Sequence, residues 1–536
     1  MIPRRTMLQV ATLLFTAMSV ASICALYGID PELTARQDTT FIDPAGETLA
    51  GSYYPGRVPR GAVILHGFSG EQVIMRNVAS EMASMGLHVL TFDFSGHGQS
   101  PGTITMDNAR VDRLAKQVLA AKEHLKALAG LTDAGIVLVG HSMGARVAIE
   151  AETIDANPVA CIVAMGASIN LLANTQSEFF TGTSDADIEW IQALNATNPP
   201  VDLLVITGEW DDILTPASAT TLIAKLRDGS TPGSPQRLLE VIPATVHNFE
   251  VYSPGAMAFA KPFIAARLGL ATGTDTAASR TISRSAWWIV FAIAAFGAIL
   301  AGTAIARGKE NRPPPDTACD AGVQLQSFKR YAAAKFLLWI PAAVVGLVIS
   351  MAFFALPLGL PIFNLIYVAF IGGHGVLLVL LYNHGRMPGT RGKLVTSIKH
   401  EFTTMNAQDW AVSAAIMGGI TVACALFYNT GLAGIYPLND RLAWLAIFTA
   451  FTSLGFFTTP CEGEILARAP SQPRGARLLL PIAGLFPFML VAAFFGALGS
   501  ISGMIGALQG LAALAFTITC WPLVHTTSKN KLVTAM

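Results

Sequence analysis

The run Ile136-Val137-Leu138-Val139 ends in Gly140-His141-Ser142-Met143-Gly144 and passes at once into the alanine-rich, helix-forming stretch Ala145 to Glu150. A serine on so tight a strand-to-helix turn needs glycine on both sides, because side chains at 140 and 144 would strike the neighbouring strand and helix. The chemistry such a turn serves is nucleophilic. A serine hydroxyl attacks poorly until a histidine takes its proton, and the imidazole needs a carboxylate to fix its tautomer and to stabilise the imidazolium. The pentapeptide alone is a loose pattern that chance also produces. The test within the sequence is whether a histidine and an acid end neighbouring strands.

The elements that would position these groups begin near residue 38. TTFIDPAGETLAGSYYP reads as a hairpin about Pro44-Ala45-Gly46, and GAVILHG, HVLTFDF, AGIVLVGHS, ACIVAMGAS, VDLLVITGEWD and RLLEVIP read as short buried strands. Helical patterns lie between them, at 71–86 and 108–130 for example. Strands alternating with helices predict a mostly parallel α/β sheet, whose ligand sites lie beyond the carboxyl ends of the strands. Those ends carry His66-Gly67-Phe68-Ser69-Gly70, Asp93-Phe94-Ser95-Gly96-His97-Gly98-Gln99-Ser100, the Ser142 turn, Gly208-Glu209-Trp210-Asp211-Asp212, and Val246-His247-Asn248-Phe249.

With these five motifs in this order the sequence resembles the α/β-hydrolase superfamily, and its monoacylglycerol-lipase and serine-aminopeptidase branch in particular, over roughly residues 38–270. The resemblance implies a nucleophile at Ser142, an acid at Asp211 and a base at His247, in the chain order this fold uses. The family pattern places the acid three residues after the glycine, which selects Asp211 over Asp212. It also implies an oxyanion hole built from the backbone N–H groups of Met143 and Phe68. His66, His97 and His141 are read as loop-packing residues. Two departures stand out. Ser95 occupies a position where the family usually has arginine, and the segment 170–200 is too short for a full cap domain, so the cap is minimal and the site open. Phe179, Phe180 and Trp190 could line an acyl pocket, although helix-core packing accounts for them equally well. Asn195-Ala196-Thr197 is a glycosylation sequon only in a eukaryotic host.

Composition shows that the chain is more than this domain. Of its 536 residues 52% are hydrophobic and only 13% charged, too apolar for a wholly soluble protein. Residues 30–284 carry 27 acidic and 17 basic side chains, while the remainder carries 8 and 18, so the formal neutrality hides two opposite parts. An acidic soluble domain argues against nucleic acid as a partner. Of the six cysteines, Cys24, Cys161, Cys319, Cys424, Cys461 and Cys520, only Cys161 lies in the domain, which leaves no internal disulfide and no metal-ligand spacing. No cofactor and no metal is expected.

Apolar runs long enough to span a bilayer lie near 7–27, 286–306, 334–355, 358–382, 411–432, 441–460, 478–498 and 502–524. Lys and Arg alternate between the loops: Arg4 and Arg5 before the first, Arg307 to Lys335 between the second and third, Arg386 to Lys399 after the fourth, Arg468 to Arg477 after the sixth, Lys529 and Lys531 at the end. By the positive-inside rule both termini are cytoplasmic and the hydrolase-like domain faces the other side. Residues 1–27 also resemble a signal peptide, with small residues near Ser22; an uncleaved anchor is the reading preferred. In the membrane half, Gly496, Gly499, Gly503, Gly506 and Gly510 form a small-residue stripe suited to close helix packing. His374 is read as a satisfied or interfacial histidine.

The expectation is therefore an anchor at 1–28, an α/β-hydrolase domain at 38–270, a linker at 271–285, an all-α polytopic bundle of about seven spans at 286–526 and a cytoplasmic tail at 527–536. The activity expected is serine hydrolysis of carboxylic esters, acyl lipids included, on the extracytoplasmic face of the cell membrane, with small-molecule esters and membrane lipids as partners. An aminopeptidase or amidase is the alternative, with Glu178, Asp185, Asp187 and Glu189 placed to grip a substrate amine. A third reading is a non-catalytic hydrolase-fold domain on a transporter or receptor bundle.

Overall fold

Strands β1 to β8 form one mixed sheet in a computed structural model that describes residues 3–68, 70–102, 109–169, 189–270, 279–307, 323–354, 362–395 and scattered positions from 407 to 422. The strands are β1 (Gln37–Ile42), β2 (Thr48–Tyr54), β3 (Gly61–Leu65), β4 (His88–Phe92), β5 (Ile136–His141), β6 (Cys161–Met165), β7 (Asp202–Gly208) and β8 (Arg237–Ile242). Their order is β1-β2-β4-β3-β5-β6-β7-β8. The hairpin β1/β2 pairs antiparallel, β2 meets β4 antiparallel, and every pair from β4 through β8 is parallel. This is the α/β-hydrolase topology, with the expected hairpin at its antiparallel edge.

Helices α1 (Arg4–Ile29), α2 (Arg76–Ser84), α3 (Ala109–Ala129), α4 (Met143–Ile154), α5 (Glu189–Gln192), α6 (Pro216–Arg227) and α7 (Pro254–Leu268) precede or flank the strands. The central parallel strands β3, β5 and β6 are buried at every position and almost wholly apolar, because helices cover both faces of the sheet. Period-two alternation then divides each strand between two cores. Val63 and Leu65 join Leu138, Val147 and Leu222 on one face, while Ala62 and Ile64 join Val78, Met82, Val139 and Ile264 on the other. Local chemistry sets the helix ends near the site. Thr215 and Ser253 cap α6 and α7 by accepting from Ser218 and Ala256, with Pro216 and Pro254 at the first helical position, and Gly269 ends α7 in the left-handed conformation.

Outside the sheet, α1 pairs with α8 (Thr281–Arg307). The pair runs antiparallel in one register: Leu26 packs with Trp288 and Phe291, Phe15 lies over Gly297, and Thr12 faces Gly302. Among the described residues, Arg5–Ile29 and Thr281–Ile305 are the two helices long and apolar enough to cross a bilayer by length and composition. Met7, Val10, Leu13, Leu14, Ile289 and Ile293 stay exposed on their outer faces. The linker expected at 271–285 is shorter than read, since α8 begins at Thr281; its polar first turn, TISR, is helical because it carries the hydrogen-bonding groups described below.

A second antiparallel pair, α9 (Phe328–Phe354) and α10 (Ile362–Asn383), is closed at one end by the short strands β9 (Val323–Leu325) and β10 (Thr390–Gly392). His374 on α10 lies flat on Trp339 of α9, rings 3.8 Å apart and 4° from parallel. The expected spans at 441–460, 478–498 and 502–524, the glycine stripe, and all but scattered positions of 411–432 lie outside the described residues.

Candidate active site

Ser142 sits between β5 and α4 with φ 55° and ψ −118°, a conformation that side-chain-bearing residues rarely adopt. The glycines explain how the turn closes. A Cβ on Gly144 would lie 2.6 Å from the Leu65 carbonyl oxygen of β3, and one on Gly140 would overlap the Gly144 carbonyl. The strained backbone lifts the Ser142 hydroxyl off the sheet edge toward the carboxyl ends of β7 and β8.

The structure brings the three residues named from the sequence into one chain of contacts. Ser142 Oγ lies 2.9 Å from His247 Nε2, and His247 Nδ1 lies 2.7 Å from Asp211 Oδ2. Asp211 and His247 are buried. The other carboxylate oxygen of Asp211 accepts from the backbone N–H groups of Ile213 and Leu214 at 2.9 and 2.8 Å, which fixes the orientation of the acid. Of the two adjacent acids in this turn, Asp211 is the one that meets the His247 ring, and Asp212 follows it in the chain.

Met143 opens α4 directly after Ser142, and a Cβ on Gly67 would stand 3.2 Å from the Ser142 Cβ, so glycine there lets the loop before Phe68 come this close without crowding the serine. His66 orders that loop. Its Nδ1 donates to the Gly67 carbonyl at 2.8 Å and its Nε2 accepts from the Phe94 N–H at 3.1 Å. Burial lowers its pKa to about 4, so the ring is neutral and keeps one donor and one acceptor.

The turn with Ser95 closes without arginine. Ser95 is buried; its hydroxyl bonds Glu47, and Gln117 bridges it to Asp43 at 2.8 Å. Asp93 holds the same loop by accepting from the backbone N–H of Gln72 at 2.7 Å and of Gln99 at 2.8 Å. A hydroxyl, an amide and two acids hold this turn together. Of the short insert, Phe179, Phe180, Glu178, Asp185 and Asp187 lie outside the described residues. Trp190 packs against the core beneath the Arg146 guanidinium, 5.7 Å from the ring centre, so it is half-buried packing.

One buried acid of the site went unnamed in the sequence reading. Glu250 is fully buried one 3-10 turn after His247, and its Oε1 accepts from the Gly208 N–H at 2.6 Å. Burial first, and then the neighbouring Asp211, push its carboxyl well above the usual range, while His247 acts in the opposite direction. Its Oε2 lies 3.5 Å from His141 Nε2. His141 is also more than loop packing: its ring lies 4.7 Å from that of His247, and its Nε2 bonds the His247 carbonyl at 3.0 Å. Burial lowers its pKa, so a neutral ring donates there. The signal for Glu250 was its spacing, since residues three apart align on a 3-10 turn.

His141, His247 and Glu250 place possible ligand atoms within 4.8 Å of one another. Both ring nitrogens of His247 and the Nε2 of His141 are already engaged in the hydrogen bonds above, which fits acid–base chemistry better than coordination.

Residues 58–185 match the family model of serine aminopeptidase, S33. Two uncharacterised proteins from two strains of Mycobacterium tuberculosis are each 26% identical over 224 residues, 40% of this chain and 74% of theirs. Among solved structures, an esterase of Pyrococcus furiosus is similar at 19% identity with a TM-score of 0.36, over 44% of this chain and 94% of that one. An alpha/beta hydrolase from a Penicillium species is similar at 15% identity, also with a TM-score of 0.36, over 44% and 99%. A serine hydrolase homologue from Coxiella burnetii is similar at 16% identity with a TM-score of 0.31, over 44% and 97%.

Proposed function

Starting from an α/β-hydrolase domain that resembles the serine aminopeptidases, we propose that this protein is a membrane-tethered serine hydrolase that cleaves carboxylic esters through an acyl-enzyme. The observation that carries the reading is the unbroken contact chain Ser142 Oγ, His247, Asp211, ending on a serine held in a strained turn. In the first half-reaction the Ser142 oxygen attacks the ester carbonyl while its proton passes to His247 Nε2. Asp211 holds the opposite nitrogen and stabilises the imidazolium. The oxyanion is received by the N–H groups of Met143 and Phe68. Collapse breaks the carbon–oxygen bond, and the alcohol leaves with the proton from His247. In the second half a water, deprotonated by His247, releases the acid and restores Ser142.

Two features favour acyl esters near a bilayer. Trp210, one residue before Asp211, and Phe249, two after His247, are large apolar side chains left exposed. The domain also lies between two apolar, antiparallel helices, so both of its ends meet the same side of a membrane. The charge pattern of the loops supports an extracytoplasmic domain and a multi-pass bundle. The matched family's name, serine aminopeptidase, favours a second reading with an amide substrate. One experiment tests both: label the full-length protein with a fluorophosphonate, then assay acyl-glycerols, short-chain nitrophenyl esters and aminoacyl amides. Ester turnover with label on Ser142 is expected. Turnover of the amides alone selects the second reading, and no labelling at Ser142 overturns both.

A further inference from the structure

Between the hydrolase domain and the α1/α8 pair lies a second cluster of buried charge. Asp30 ends α1, Asn77, Ser80 and Glu81 line α2, Lys261 comes from α7, and Thr281 and Arg284 open α8; all seven are buried. Arg284 grips both carboxylate oxygens of Asp30, one of them at 2.6 Å, and Ser80 donates to the same acid at 2.6 Å. Lys261 pairs with Glu81 at 3.2 Å, and Glu81 also receives the Arg280 N–H at 2.7 Å. Two acids face two bases, so the buried charges cancel. A small surface pair would have sufficed to tether the helices. This cluster fixes their register against the domain.

Asn77 connects that cluster to the candidate site. Its Oδ1 accepts from Arg284 Nη1 and, at 3.0 Å, from Thr281 Oγ1, while its Nδ2 donates to the Val251 carbonyl at 2.7 Å. Val251 lies in the same 3-10 turn as His247. That turn is pinned at three places: His141 holds the His247 carbonyl, Glu250 holds the Gly208 N–H, and Asn77 holds the Val251 carbonyl. The first two pins belong to the site itself. The third is set from α8, because the amide of Asn77 is planar and its oxygen cannot follow Arg284 without its nitrogen moving against Val251.

From this geometry we infer that the α1/α8 helix pair positions the catalytic base, with Arg284 and Thr281 orienting Asn77 and Asn77 fixing the turn that carries His247. The inference rests on the reading of His247 as the base. Asn77 and Arg284 touch no substrate; they are positioning residues, and they make the membrane helices part of the hydrolase.

The test uses the full-length protein in detergent micelles, with a nitrophenyl ester and a fluorophosphonate. Asn77→Asp keeps the acceptor for Arg284 and Thr281 but removes the donor to Val251. Its kcat and its rate of fluorophosphonate labelling should both fall about tenfold, with KM within about twofold, as expected for a misplaced base. Arg284→Gln should lower kcat by a similar factor, and the double variant should be no slower than the worse single variant, because both act along one path. Should Asn77→Asp fail to fold, Thr281→Val should still lower kcat about threefold at unchanged KM. A folded Asn77→Asp enzyme with kcat within twofold of the parent overturns the inference, as does a double variant whose losses multiply, or a Thr281→Val enzyme at parental kcat. Absence of label on Ser142 in the parent protein would instead overturn the reading of the site.

Discussion

Two buried polar clusters lie a few residues apart in this protein, and they are built on opposite rules. At the foot of α1 and α8, Asp30 and Glu81 are matched by Arg284 and Lys261. Around Ser142 the rules fail: two acids, Asp211 and Glu250, share one neighbourhood with the neutral ring of His141, one carboxylate oxygen of Glu250 has no hydrogen-bond partner among the described residues, and the serine backbone is strained. Structure that only holds parts together has no reason to keep strain or a surplus of buried acids. A proton that must move needs both, because groups with matched partners do not change protonation.

Breaking the unbalanced cluster should therefore abolish chemistry and leave the fold. Ser142→Ala removes the proposed covalent centre and should lower ester turnover by at least about 10⁴-fold, with fluorophosphonate labelling lost and the far-UV circular dichroism unchanged. A labelled Ser142→Ala protein would move the nucleophile elsewhere. Asp211→Asn should lower kcat by about 10⁴-fold through the wrong histidine tautomer, while Asp212→Asn stays within about threefold of the parent. Equal losses at the two positions would place the acid wrongly.

How much of this was legible in the sequence depended on how local each signal was. The nucleophile turn, the acid turn and the histidine turn each end an apolar strand, so the fold and three site residues could be read from short motifs. Glu250 was missed because its role depends on a 3-10 turn, where position 250 returns to the side of position 247. Ser95 in place of arginine left the second loop open until Glu47 and Gln117 were seen to close it. Asp30 and Arg284 are 254 residues apart, and no periodicity links them. Their only trace is positional, since one follows the first apolar run immediately and the other precedes the second by one residue.

The balanced cluster should respond to substitution in pairs. Lys261→Met removes the nearer of the two cations beside buried Glu81, leaving Arg284 at 3.8 Å, and should destabilise the protein by about 3 kcal/mol, read as a lowered melting temperature. Adding Glu81→Gln removes the acid's charge, keeps an acceptor for the Arg280 N–H, and should recover most of the loss. Failure of the second substitution to recover stability would mean that the cluster acts through something other than cancelled charge.

The smallest effect expected sharpens the comparison at Glu250. Its carboxyl, held above the ordinary range by burial and by Asp211, keeps its proton in the folded protein at pH values where the unfolded chain has already given it up. The folded state thus binds more protons than the unfolded state once pH exceeds the ordinary carboxylate value, so stability falls as pH rises from there toward the folded pKa. Glu250→Gln replaces the neutral acid by a neutral amide that cannot ionise, and its oxygen can still accept from the Gly208 N–H. At pH 5 its melting temperature should lie within a few degrees of the parent's, and the difference should shift in the variant's favour as pH rises to 9, with kcat within about fivefold throughout. Parallel melting curves across that range would show that Glu250 titrates alike in the folded and unfolded chains, and would overturn the raised carboxyl on which the contrast between the two clusters rests.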